Sequence, residues 1–86
     1  MIYVACYDIV DQRIRQRTAD LLERVGTRVQ KSVFFVKMES YQIEELKKKL
    51  YKITGRRGEV LLIPLCSHCA TRITILGSKE TPYLSC

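Results

Sequence analysis

A lone aspartate, Asp8, ends the apolar run IYVACY, and Asp11, Arg13, Arg15 and Arg17 follow at once. A carboxylate just past a buried strand is held rigidly, and it costs free energy unless it is paired or binds a cation. Its structural uses are to cap the next helix or to pair with an arginine. Its chemical use is a Mg²⁺ site. Mg²⁺ takes oxygen ligands, keeps several waters and often needs only one or two carboxylates plus substrate phosphate. One aspartate per chain is a thin donor set. Two copies of Asp8 facing each other across a dimer axis would complete it, with Mn²⁺ as a possible substitute for Mg²⁺. Asp11 is better used as the helix cap. A metal at Asp8 points to phosphodiester hydrolysis, because it polarises a phosphoryl oxygen and activates water for in-line attack.

The cations around Asp8 fit a phosphate substrate. Guanidinium groups match phosphate geometry in a fork, so Arg15, Arg17 and Arg28 are candidates to hold it. Arg56 and Arg57 would extend that track. Tyr7 and Phe34 could stack on bases, although such residues more often belong to a core. A solvated helix face is the plain explanation for Arg13, Arg17, Asp20 and Arg24. Cys66-Ser67-His68-Cys69 is half of a structural zinc site. No second cysteine pair stands at zinc-finger spacing, and only Cys6 and Cys86 remain. Structural or idle thiols are the expected reading of this motif.

These residues need a frame of 86 positions, which is one domain. Hydrophobic residues make up 47%, enough for a core, and the net charge of +6 calls for a polyanionic partner. A domain this small buries only about 60–65% of its unfolded surface, so covering the remainder by dimerisation would help. No apolar stretch approaches the roughly 18–20 residues that cross a bilayer. IYVACY lacks the basic start of a signal peptide, so a cytoplasmic protein without membrane contact is expected. Thiols rather than disulfides are expected there.

Residues 2–7 alternate and are rich in β-formers, which predicts a strand. Asp11 caps a helix with Ile14, Thr18, Leu21, Leu22 and Val25 on one face, ended by Gly26. Residues 27–38 are β-rich and make one long strand or two short ones, with no Gly or Pro turn to choose by. Ser40 is expected to cap a second helix, striped by Ile43, Leu46, Leu50 and Ile53. Glu44 with Lys48 and Glu45 with Lys49 would pair on its outside. Gly55-Arg56-Arg57-Gly58 reads as a tight basic loop. EVLLIPL, residues 59–65, reads as a strand whose Pro64 marks an end or an edge. RITIL, residues 72–76, alternates again. The order predicts an α+β fold, a ferredoxin-like βαββαβ sandwich with an extra C-terminal edge strand that pairs with a second copy. The domain is set at 1–76, with a tail over 77–86 at a dimer or partner interface.

The first half of this sequence carries the specific part of a resemblance to a known family. Tyr7-Asp8-Ile9, then Asp11, Arg15 and Arg17, then Gly26-Thr27-Arg28-Val29-Gln30-Lys31-Ser32-Val33-Phe34 are similar to the small CRISPR-associated adaptation nuclease, Cas-two, with its G-x-R-V-Q-x-S-V-F signature. The likeness covers about residues 1–76. It implies that Asp8 is the Mg²⁺ ligand and main catalytic residue. It implies that Tyr7, Arg15, Arg17, Arg28 and Phe34 surround the site. It implies a homodimer with one metal near two copies of Asp8, and a reversal of 27–38 into two strands near Gln30 to Ser32. Many relatives carry an acid where Phe35 stands. The family is described both as a metal-dependent endonuclease on RNA or DNA and as a dimeric scaffold that holds duplex DNA between Cas-one integrase dimers.

Other classes fit less of the chain. An RNA-recognition motif shares the element order, and Lys31, Phe35 and Val36 match its central octamer. Ser32, Val33, Phe34 and Met38 do not, and that class gives Asp8 no task. Acylphosphatases share the fold but need an asparagine, and this chain has none. A toxin ribonuclease of the same fold outside CRISPR would keep Asp8 and the dimer.

Overall fold

A computed structural model describes residues 1–77. Its first strand, β1, runs Ile2–Asp8. Tyr3, Ala5 and Tyr7 are buried, while Ile2, Val4 and Cys6 are half-buried. A strand sends successive side chains to opposite faces, so the first set meets the helices and the second meets the other side of the sheet.

Helix α1, Gln12–Val25, begins at Asp11, whose Oδ1 accepts the Ile14 N–H at 2.9 Å. Ile14, Thr18, Ala19, Leu21 and Leu22 are buried along its inner face, and Val25 packs beside them. Buried Thr18 donates to the Ile14 carbonyl at 2.9 Å, which satisfies its hydroxyl without a tertiary partner. The chain passes from α1 into strand β2, Gly26–Gln30, with no loop between. Gly26 makes this possible, because a Cβ there would collide with the Phe35 carbonyl oxygen.

Strand β3, Val33–Lys37, returns after a turn at residues 31 and 32. The expected reversal of 27–38 near Gln30 to Ser32 is therefore present. Helix α2, Ser40–Thr54, follows and buries Ile43, Leu46 and Leu50. Its cap differs from the expected Ser40. Glu39 is the capping residue, with the Gln42 side chain accepting the Glu39 N–H at 2.8 Å, and Ser40 is the first helical position. The outer ion pairs also fall one position short of expectation. Lys47 meets Glu44 at 2.8 Å and Lys48 meets Glu45 at 3.9 Å, so the pairs are i,i+3. Both spacings bring side chains together on a helix surface.

Strand β4, Glu59–Leu65, and the single turn α3, Ser67–Ala70, complete the described elements. The sheet order is β2-β3-β1-β4 with every pairing antiparallel. This is the ferredoxin-like arrangement, with both long helices on one face. Pro64 lies on edge strand β4, where a missing N–H is tolerated. Residues 72–76 form no strand within the protomer. Alternation favours a strand only when a neighbouring backbone is present to bond it. The tail placed at 77–86 lies, beyond residue 77, outside the described residues.

The core joins Tyr3, Ala5, Tyr7, Phe34 and Val36 of the sheet to Leu22 of α1 and to Ile43, Leu46 and Leu50 of α2. The other sheet face is different. Leu61 is 57% exposed and Ile63 45% exposed, and both share that face with Val4 and Cys6. No helix of the described residues is long and apolar enough to cross a membrane.

Candidate nucleic-acid and metal site

Asp8 is the last residue of β1 and is exposed. The pleat places its side chain with Val4 and Cys6, on the face away from the helices. Glu59 of β4 is its direct cross-strand neighbour. Two carboxylates opposite each other in a sheet repel. No hydrogen bond or ion pair to the Asp8 carboxylate occurs among the described residues. Glu59 was not singled out from the sequence. Only the register of β1 against β4 reveals it, and that register is non-local.

The chain after Asp8 is held in place. Arg15 Nη1 donates to the carbonyl oxygens of Ile9 at 3.1 Å and Val10 at 3.2 Å. Gly58 closes over the same segment with φ of +148°, and a Cβ there would lie 2.7 Å from Ile9 Cγ1. The basic loop before β4 is thereby packed against the end of β1. Arg57 is near enough to help hold the Asp11 carboxyl below its usual range, behind the larger effect of the Ile14 N–H. That carboxyl serves α1 as its cap, as expected.

A groove of about 390 Å³ runs past the end of β1, lined by Tyr7, Asp8, Arg15, Gln16, Arg28 and Lys31 among others. Lys31 was missed in the sequence because a turn lysine carries no pattern. Tyr7 positions it. The Ser32 carbonyl accepts the Tyr7 N–H at 3.2 Å, and the Tyr7 hydroxyl donates to the Lys31 carbonyl at 3.4 Å. Arg28 lies 5.0 Å over the Phe34 ring and pairs with Glu23 of α1 at 3.0 Å. That pair is exposed and worth at most about 1 kcal/mol, so a phosphate can displace it.

The remaining candidates sit elsewhere. Arg17 lines a separate hollow with Gln12, Arg13 and Gln16. Arg56 and Arg57 are exposed on their loop. Tyr7 and Phe34 correct the idea of base stacking. They are 9% and 0% exposed and stack on each other with ring centroids 6.2 Å apart. Neither ring has a free face for a base, and both act as the floor beneath Arg28 and the Lys31 turn. Phe35 is also buried, on the face of Val4, as expected of a large apolar side chain in a central strand. Cys66 and Cys69 form no metal cluster, since no group of three or more candidate ligands exists among the described residues.

The family model described as CRISPR associated protein Cas2 matches residues 1–73. The chain belongs to the Cas2 family. It is 43% identical to a protein of Synechocystis named CRISPR-associated endoribonuclease Cas2 3, over 88% of this chain and 84% of the relative. It is 41% identical to one of Chloroflexus aurantiacus named CRISPR-associated endoribonuclease Cas2 1, over 99% of this chain and 94% of the relative. The crystal structure of Streptococcus pyogenes Cas2 matches with a TM-score of 0.80 at 23% identity, covering 90% of this chain and all (100%) of that one. That likeness supports the fold. Within the Cas2 fold, this chain carries at the end of its first strand an acid without a protein partner among the described residues, on the sheet face that turns away from α1 and α2.

Proposed function

We propose that this Cas2 protein is a metal-dependent endonuclease of CRISPR spacer acquisition, acting as a homodimer with Asp8 of each protomer at its centre. The carrying observation is the position of Asp8. It stands without a protein partner among the described residues, on the sheet face that also exposes Leu61 and Ile63. Two copies packed through that face would bury the apolar stripe and bring two Asp8 carboxylates together. The names of the relatives support nuclease activity.

The residues fit Mg²⁺. Asp8 offers hard oxygen donors and Glu59 stands opposite, so a divalent cation between them would remove the repulsion of the pair. When bound, the ion supplies polarisation of a phosphoryl oxygen. Arg28 and Lys31 bind the phosphates that reach the groove. Arg15 gives Nη1 to the Ile9 and Val10 carbonyls, so it fixes the segment after Asp8 and keeps its other donors for substrate. Arg17, Arg56 and Arg57 extend the binding surface to phosphates further along the strand. The partner is RNA or DNA, with Cas-one integrase as the protein partner in spacer acquisition.

The deciding experiment is incubation of labelled single-stranded RNA, single-stranded DNA and duplex DNA with the protein. Cleavage of at least one is expected with Mg²⁺ or Mn²⁺, and none with EDTA. Binding of duplex without cleavage of any substrate would favour the scaffold role. The exposed cations make a further expectation common to both roles. Arg56→Ala with Arg57→Ala should make the slope of log K against log salt shallower by about 1 for each phosphate these side chains neutralise. Titration of fluorescent duplex between low and moderate salt measures it, and an unchanged slope removes this loop from the interface.

A further inference from the structure

The Cys66/Cys69 motif has no part in the site above. Leu65, which precedes it, pairs with Ile2, whereas Glu59 pairs with Asp8. Six residue steps separate the two ends of β4, roughly 20 Å. The motif therefore needs its own explanation.

Cys66 caps the single turn Ser67–Ala70, and its Sγ accepts the Cys69 backbone N–H at 3.3 Å. Both side chains are exposed free thiols. Residues three apart on a helical turn are neighbours on one face, within the span a disulfide bridges. Thr71 closes the turn, its hydroxyl donating to the His68 carbonyl at 2.7 Å. The two sulfurs are thus held side by side where the chain leaves the edge strand, facing solvent. A metal that needs four ligands finds only two here among the described residues.

We propose that Cys66 and Cys69 are a reversible dithiol–disulfide pair that exchanges with small-molecule disulfides of the glutathione type. Cys66 is the attacking thiol and Cys69 the resolving one. The asymmetry has a local cause. The Cys69 N–H and thiol hydrogen-bond the Cys66 sulfur and hold its pKa below the usual thiol value, while the same thiol–thiol interaction raises that of Cys69. The Cys66 thiolate attacks one sulfur of the small disulfide, forming a mixed disulfide and releasing one thiolate. Cys69 then loses its proton, attacks Cys66 Sγ and releases the second thiolate. Two electrons pass from the protein thiols to the small disulfide, and the two protein protons end on the two small thiols or in water. Closing so short a loop constrains the unfolded chain little, so the bond is readily reversed rather than structural.

The test uses the full chain equilibrated in glutathione buffers of rising oxidised fraction, then acid-quenched, alkylated and mapped by mass spectrometry. The expected product is a peptide with Cys66 joined to Cys69, its yield following the buffer ratio. In Cys69→Ser, one glutathione should remain trapped on Cys66. In Cys66→Ser, Cys69 should stay unmodified under the same conditions. Iodoacetamide at pH 7 should label Cys66 about tenfold faster than Cys69. The proposal is overturned if excess oxidised glutathione gives no 66–69 bond, if glutathione collects on Cys69 instead, or if bonds to Cys6 or Cys86 predominate.

Discussion

Asp8→Ala is expected to lower Mg²⁺-dependent cleavage at least about a hundredfold while leaving the folded dimer intact. The magnitude follows from what a metal ligand does. Changing even an outer residue that orients a ligand costs about 10–100-fold, and Asp8 would be a direct donor. The effect on stability separates this role from a structural one. Asp8 is exposed and its carboxylate makes no hydrogen bond or ion pair among the described residues. A surface change of that kind shifts stability by no more than about 0.5 kcal/mol. The direction should be slightly upward, because removing one of two facing carboxylates relieves repulsion with Glu59. A cap or a structural ion pair would give the opposite sign. Thermal unfolding in EDTA, beside gel-based cleavage in Mg²⁺, reads both quantities from one pair of proteins. Equal cleavage by wild type and variant would place the activity elsewhere and remove Asp8 from the site.

The parts of this site that follow from local pattern were legible in the sequence. Asp11 caps α1 because a short acidic side chain one position before a helix can reach the N–H three residues on. The apolar spacing from Ile14 to Leu22 and from Ile43 to Leu50 places both helices on the sheet. The Gly-Arg-Arg-Gly loop and the acid ending β1 stand in the sequence as such. What depends on strand pairing was not legible. Glu59 becomes a neighbour of Asp8 only through the β1–β4 register. Tyr7 and Asp8 are adjacent in sequence yet serve opposite sheet faces, and only the docking of both helices decides which face is closed. Arg15 reads as a phosphate fork, but its Nη1 is engaged by the carbonyls of Ile9 and Val10, a contact the sequence does not announce. Capping by Glu39 rather than Ser40 was hidden for a smaller reason. A Glu side chain with Gln42 completes a reciprocal box one residue earlier, and propensity alone favours serine. Residues 72–76 show the limit of alternation, since a strand is defined by a neighbour that the sequence of one chain does not name.

Ile63→Lys is expected to convert the dimer to monomer and to take the nuclease activity with it. Ile63 is 45% exposed, beside Val4 on the sheet face opposite α1 and α2. If that face closes on a second copy, the lysine ammonium must be buried there without a partner or the face must open. A central interface change of this kind costs about 2–4 kcal/mol, which weakens dimerisation roughly 30- to 1,000-fold. The position also isolates the cause. Ile63 lies four residues along β4 from Glu59, about 13 Å from the carboxylate pair, so the added charge does not touch the metal donors. Any loss of cleavage must come from separating the protomers. Light scattering at micromolar concentration should give the mass of one chain, and cleavage per protomer should rise as protein concentration is increased. A variant that stays dimeric and fully active would mean that the copies meet through another surface. Asp8 would then lack its twin, and each protomer would have to hold the ion with Asp8 and Glu59 alone.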